Sequence, residues 1–299
     1  MDGNVFDEVA VRADPLQRGL ISHCYRMLGS VTEAIQVADS ASSHEVATRE
    51  CLHRGGARLL PTDLAPASGD PEGELSRRSE VLWLEPIPDT LADDHLIDLQ
   101  LIAALQRLPA HERAAVILHD VEGWPVPRIT DLLGQVDIRQ ARSHFRPAPG
   151  HQLDQPELLG RYARAFEEYD VPAIVELFGD DAIWEMPPFT SWFRGARNIG
   201  RLISTHCPAK GPGDQILVPV KANRQPAFAV YMRDPTDNIH RAFQIQVLTL
   251  TAAGIIHAVA FFDLSLFPTF QLPDLLAGLP PNPYDGAPRP HIERLHPHD

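Results

Sequence analysis

The feature that most constrains the fold of this 299-residue chain is a change of hydrophobic period between its two halves. In the first half, Leu96, Leu99, Ile102, Leu105 and Leu108 recur at the spacing of one helix face. In the second, strand-like runs follow one another at 215–222, 227–233, 241–251 and 255–263, with turn residues between them. The chain is long enough for two ordinary domains, each with its own core. The expectation is a multi-domain protein: an all-α N-terminal half of two small helical domains, followed by an α+β cone in which a curved sheet wraps around helices.

Local signals divide the first half. Asp14-Pro15 reads as an N-cap followed by proline at N1, and the apolar residues after it keep helical spacing up to Gly29. Thr32–Ser43 then runs directly into His44–Arg54, and no Trp, Phe or Tyr lies between Tyr25 and Trp83. Residues 55–74 are rich in Gly, Pro and acidic side chains and read as linker. Trp83-Leu-Glu-Pro-Ile-Pro-Asp89 reads as an extended strap. Pro125–Gly134 suits the first helix and turn of a helix-turn-helix, whereas the segment from Asp137 is closed by Pro147 and Pro149 after at most about two and a half turns. The boundaries drawn this way are 1–54, a linker 55–93, 94–147, 155–272 and a Pro/His-rich tail 273–299.

Charge argues against strong nucleic-acid binding. The formal net charge is -14, and residues 1–150 hold 14 Lys+Arg against 23 Asp+Glu. Affinity for DNA comes largely from neutralising phosphates with cations. Lys210 and Lys221 are the only lysines, so the basic candidates are Arg128, Arg139, Arg142 and Arg146, and weak or no DNA binding is expected. Three cysteines without C-x-x-C spacing and no i, i+4 histidine pair with a carboxylate imply no disulfide framework, no metal and no cofactor. No apolar run is long enough to span a membrane, and the acidic N-terminus is unlike a leader, so a cytoplasmic protein is expected.

The second half carries the candidate pocket. Residues 155–177 are helical, with Tyr162 and Phe166 on an apolar-aromatic face, and a further helix is expected at 198–205. Asp263, at the end of an apolar strand, is the first candidate general acid or base, since a desolvated carboxylate titrates high. His257 and Glu185 are the others, each with a plain structural alternative. Trp184, Met186, Trp192 and Phe193 suit a cavity mouth, with Gln244, Gln246 and Phe261 as further substrate-binding candidates. Strand alternation places His257, Phe261 and Asp263 on one face with Ile255, and separates Gln244 and Gln246 from Phe243. His206 and His240 are expected in solvated loops.

Several of these phrases carry a family resemblance. Leu101–Trp124 resembles the start of the promoter-reading domain of an extracytoplasmic-function sigma factor, and Leu16–Ser30 resembles the first helix of the polymerase-binding domain. The 83–89 motif is similar to one in sigma factors that carry an extra C-terminal domain. Ala165–Glu167, Trp184–Pro188, Phe193–Gly195, Gln225–Phe228 and Gln246–Leu250 resemble the SnoaL-like domain of the nuclear-transport-factor-2-like superfamily, which includes polyketide cyclases, ketosteroid isomerase and limonene epoxide hydrolase. Relative to those families, the aromatic strand-melting stretch is missing, the reading helix is short, and Pro147–Gln152 lacks the Gly-rich acidic motif. Two readings follow. In the first, a sigma-like protein with eroded promoter recognition is repurposed, and its pocket binds and converts a hydrophobic polyketide-like molecule by cofactor-free acid/base chemistry. In the second, a divergent sigma factor binds core RNA polymerase and initiates transcription, with the SnoaL-like domain as internal regulator. A homodimer through the sheet is open in both.

Overall fold

A computed structural model describes residues 14–54, 56–93, 95, 97–145 and 155–276. These fall into two compact units, one within 1–60, 80–150 and 222–224, the other within 61–79, 151–221 and 225–299. The segment read as a linker is thereby divided, since 61–79 belongs with the second unit and 80–93 with the first.

The first unit is helical. Its elements are α1 (Pro15–Leu28), α2 (Val31–Ser40), α3 (His44–Arg54), α4 (Leu99–Gln106), α5 (Ala110–Asp120), α6 (Val126–Leu133) and α7 (Ile138–His144). Asp14 caps α1 by accepting from Leu16 N, and Gly29 ends it at φ 66, a left-handed conformation that costs glycine little. Ser30 caps α2 by accepting from Glu33 N. Three residues, Ala41 to Ser43, join α2 to α3. Arg113, on α5, is buried among neutral acceptors: it donates to the carbonyls of Met27, Leu105, Gln106 and Leu108 and to Gln106 Oε1.

The 83–89 motif is a strap, as its two prolines require. Leu84 N donates to Leu59 O and Glu85 N to Gly29 O, at 3.0 Å each. The Glu85 carboxylate accepts from Ser30 Oγ and Thr32 N and meets Arg58, so one acidic side chain holds the entry to α2. Ile87 N donates to Asn223 Oδ1.

The second unit contains α8 (Pro156–Glu167), α9 (Val171–Glu176), β1 (Phe178–Glu185), β2 (Phe193–Arg194), α10 (Ala196–His206), β3 (Gln215–Ala222), β4 (Gln225–Arg233), β5 (His240–Thr251), β6 (Gly254–Phe261), α11 (Leu266–Thr269) and β7 (Leu275–Leu276). The sheet order is β2-β1-β6-β5-β4-β3, with β7 on the start of β5. β1 runs parallel to β6, while β5 is antiparallel to both β4 and β6. One face of the sheet packs against α8, α9 and α10 through Tyr162, Phe166, Ile174, Ile199 and Leu202, which meet Trp184, Phe228 and Leu248. This is the α+β cone expected from the order of elements. Residues 61–79 lie along its β1–β2 edge, where Arg78 N donates to Pro188 O and Ser68 N to Trp192 O.

Two bulges move residues off the simple alternation. Val230 pairs with Gln244 but Tyr231 pairs with Ala242, so Phe243 is an extra residue on β5. Thr249 pairs with His257 but Leu250 with Ile255, so Ile256 is extra on β6. Ile255 therefore joins the helix-facing core with Ala258 and Ala260, away from the face of His257. This corrects the expectation that Ile255 and His257 share a face.

Candidate functional site

Between the sheet, α8 and α10 lies a cavity of about 280 Å³. Phe166, Trp184, Met186, Phe189, Leu202, Ile203, Phe243 and Phe262 supply most of its wall. Leu75, from the segment 61–79, and Cys207 complete the apolar rim. Burial pushes the Cys207 thiol above its usual range, so it stays protonated at neutral pH. Phe166 stacks on Trp184 at a centroid separation of 6.2 Å, which holds both rings flat against the space.

Polar groups enter this wall at a few points. Trp184 Nε1, His206 Nε2 and Gln244 Oε1 are buried on residues lining the cavity and have no hydrogen-bond partner among the described residues. Gln246 Nε2, two residues further along β5, likewise has no partner among the described residues. Its Oε1 accepts from Tyr162 Oη at 2.8 Å, and burial holds that phenol far above its usual titration range, a permanent donor. An orphaned buried polar group costs about 1–3 kcal/mol, so each of these atoms is a destabilising feature of the cavity wall.

Trp184, Met186, Phe166 and Gln244 were named as substrate-binding candidates from sequence, and all four line the cavity. Tyr162 and Gln246 sit in the core beneath it. Trp192 does not line it: its Nε1 donates to Ala65 O at 2.7 Å, which ties down the edge segment. Phe193 is core, and Phe261 pairs with Ile245 on the opposite face of the sheet. His206 is the last residue of α10 and lines the cavity, half-buried, where a solvated position is expected from the sequence. His240 Nε2 donates to Gly213 O at 2.9 Å. Leu75, Phe189, Phe243 and Phe262 were missed, the first two because they lie in segments read as linker or turn.

The three candidate acid/base residues lie away from the cavity. Asp263 is exposed, and its carboxylate accepts from Ser265 N and Ser265 Oγ at 2.9 and 2.7 Å, capping the turn into α11. His257 and Glu185 do come together, with His257 Nε2 2.7 Å from Glu185 Oε1. Thr62 N donates to the other carboxylate oxygen at 2.8 Å. Glu185 alternates with Trp184 and Met186 along β1, so its carboxylate emerges on the far face from the cavity. The pair is buried.

The basic candidates are arranged on the helix-turn-helix, whose small core is Ala115, Leu118, Ile129 and Ile138. Ile138 and Ala141 anchor α7, leaving Arg139, Gln140, Arg142 and Ser143 exposed. Asp137 caps the helix by accepting from Gln140 N at 3.0 Å. Arg142 pairs with Asp120 at 3.0 Å, and Arg128 lies 3.5 Å over the Trp124 ring. Arg146 lies outside the described residues. Seven helical residues span only about 10 Å.

With both units described, comparison with known proteins is decisive for the family. No family model matches the chain. The ECF RNA polymerase sigma factor SigG of Mycobacterium tuberculosis is 39% identical over 316 residues, covering 90% of this chain and 85% of that protein. The same relative from strain H37Rv matches equally. Among solved structures, the M. tuberculosis extracytoplasmic function sigma factor SigJ superposes with a TM-score of 0.60 over 90% of this chain and 100% of that one, at 17% identity. An NTF-2 like protein of unknown function from Burkholderia xenovorans LB400 aligns with 36% of this chain and 80% of its own, with a TM-score of 0.30 and 16% identity. The chain belongs to the extracytoplasmic-function RNA polymerase sigma factor family. Its fold is a sigma-like helical region followed by an NTF2-like cone.

Proposed function

We propose that this chain is a working, divergent sigma subunit that binds core RNA polymerase and supports transcription initiation, with the NTF2-like cone as its regulatory part. The observation that carries the reading is the extent of the likeness to SigG, which covers 90% of this chain, helical region and cone alike. A match over 90% of the chain has to include much of both units. Polymerase is met where it works, in the cytoplasm, and no helix among the described residues is long and apolar enough to cross a membrane.

The reading also states what this subunit does poorly. Stacking unpaired bases on aromatic rings contributes about 1–3 kcal/mol per base, and no such ring lies between Tyr25 and Trp83. Strand opening is therefore its weak step. The test is retention of core RNA polymerase by the tagged full-length protein, then run-off transcription on duplex and on pre-melted templates. Retention with transcription favouring the pre-melted template is expected. Absence of any retained polymerase refutes the proposal.

A second reading concerns the cone. The orphaned Trp184 Nε1, His206 Nε2 and Gln244 Oε1 around an apolar wall favour a compact, largely hydrophobic small molecule with polar groups at its edges. Binding without conversion fits best, because Asp263, His257 and Glu185 all stand off the cavity. A ligand raises the melting temperature by mass action, so a screen of alicyclic and aromatic compounds tests it. No shift across a broad panel rejects it.

A further inference from the structure

We propose that His23, His44 and Glu122 form a binding site for one divalent metal ion of the zinc class within the helical unit. His23 stands on α1, His44 opens α3, and Glu122 follows the last turn of α5. His23 Nδ1 lies 3.2 Å from Glu122 Oε1, and His44 Nε2 lies 3.4 Å from Glu122 Oε2. Zinc bonds of about 2.0–2.1 Å give a coordination tetrahedron an edge of about 3.3–3.4 Å. Each histidine stands near that length from one carboxylate oxygen, His23 from Oε1 and His44 from Oε2, so a small turn of the Glu122 carboxylate brings both to one bound oxygen. All three donor atoms lie within 4.8 Å of one another, with the two rings at an interplanar angle of 80°. Turning His44 closes the remaining edge, since its side chain keeps 25% exposure while that of His23 has none.

Hydrogen bonding around His23 points the same way. Thr48 Oγ1 has one proton and donates it to His44 O at 2.7 Å. In that arrangement it accepts from His23 Nε2, which lies 2.8 Å away. With the proton on Nε2 the Nδ1 lone pair faces the Glu122 carboxylate at 3.2 Å, and with it on Nδ1 the same contact is a hydrogen bond. A cation satisfies the lone pair and the carboxylate together. The arrangement is also that of metal-bound histidine in general, where the distal ring N–H is held by a fixed acceptor that sets the tautomer. Arg26, the neighbouring cation, is already occupied by Asp93 and by the carbonyl of His95.

Two neutral imidazoles and one carboxylate suit zinc over calcium or magnesium, and leave the fourth position to water. The bound ion would pin α1, α3 and the end of α5 at one point. Its ligands are scattered in sequence, which is why no spacing motif announces them.

The test uses the full-length protein stripped with chelator and titrated with Zn²⁺ against a chelating dye, with Co²⁺ as a visible-absorption probe. We expect one tightly bound equivalent, a rise in melting temperature, and the intense Co²⁺ bands of a low-coordinate nitrogen/oxygen site. His44→Ala and Glu122→Ala should each weaken Zn²⁺ at least about tenfold and abolish those bands, and Thr48→Val should weaken it about tenfold through the lost acceptor. A variant with His291, His296 and His298 replaced by alanine leaves the site untouched and must keep the equivalent. No stoichiometric binding, binding unchanged in His44→Ala and Glu122→Ala, or binding lost with the tail histidines overturns the proposal.

Discussion

Asn223 donates through Nδ2 to Tyr25 Oη at 2.8 Å, joining residues 198 positions apart inside the helical unit. Tyr25 Oη passes its own proton to Glu85 O, and Asn223 also donates to Ile97 O and accepts from Ile87 N. Asn223 has φ 56, a conformation asparagine tolerates better than most residues. One side chain thus ties α1 to the 83–89 strap and to the approach of α4. Asn223→Ala removes three buried hydrogen bonds and adds left-handed strain, and should lower unfolding free energy by about 3 kcal/mol. Tyr25→Phe should cost about 1–2 kcal/mol, and the double variant less than the sum, because both changes break the same bond. Urea unfolding of the four proteins measures this, and additivity would contradict the coupling.

This node shows where sequence reading stops. The cap at Asp14, the stop at Gly29 and the brevity of α7 were legible because each depends on residues within a few positions. The cone's later strands were legible from their apolar runs. Asn223 was silent, since its partners come from three distant segments. The bulges at Phe243 and Ile256 were equally silent, and they decide which side chains meet the cavity. His206 was misjudged because the cavity it lines is walled by residues distant in sequence, Phe166, Trp184 and Phe243 among them. Asp263 is a candidate by its strand-end position and Glu185 by its place in an apolar run, but in the structure the first caps a turn and the second faces His257.

Glu185 illustrates the consequence. Its carboxylate is buried, takes Thr62 N and faces His257 Nε2, with none of it in the cavity wall. Glu185→Ala should destabilise the protein by about 2–4 kcal/mol by stripping an acceptor from buried donors. Any ligand found for the cavity should bind the folded variant with unchanged affinity. An affinity loss without a stability loss would reinstate Glu185 as a site residue.

Gln244 should behave in the opposite sense. Its Oε1 is buried without a partner, so the unliganded protein bears that cost. Gln244→Met keeps the length and removes the orphaned acceptor, and should stabilise the unliganded protein by about 1 kcal/mol. The same change should erase much of any ligand-induced rise in melting temperature. Thermal unfolding with and without ligand reads both, and destabilisation of the free protein would mean that Gln244 has a structural partner in solution.

The reading helix makes the last prediction. On α7, Ile138 and Ala141 face the core, so Arg139 and Gln140 are the long polar side chains at the outward N-terminal end, where such helices meet base edges. Arg142 shares its charge with Asp120, and the unit is acidic as a whole, so few cations are left to meet phosphate. Arg139→Ala should therefore lower promoter-dependent run-off by about tenfold, a loss of about 1.4 kcal/mol, and reduce the salt slope of DNA binding by about 1. Arg142→Ala should cost less, because the pair with Asp120 already withholds it from DNA. Retention of core polymerase should be unchanged in both, since neither side chain belongs to the α1–α3 region. Equal loss of polymerase retention and transcription in Arg139→Ala would place its role in folding or polymerase contact instead of promoter reading.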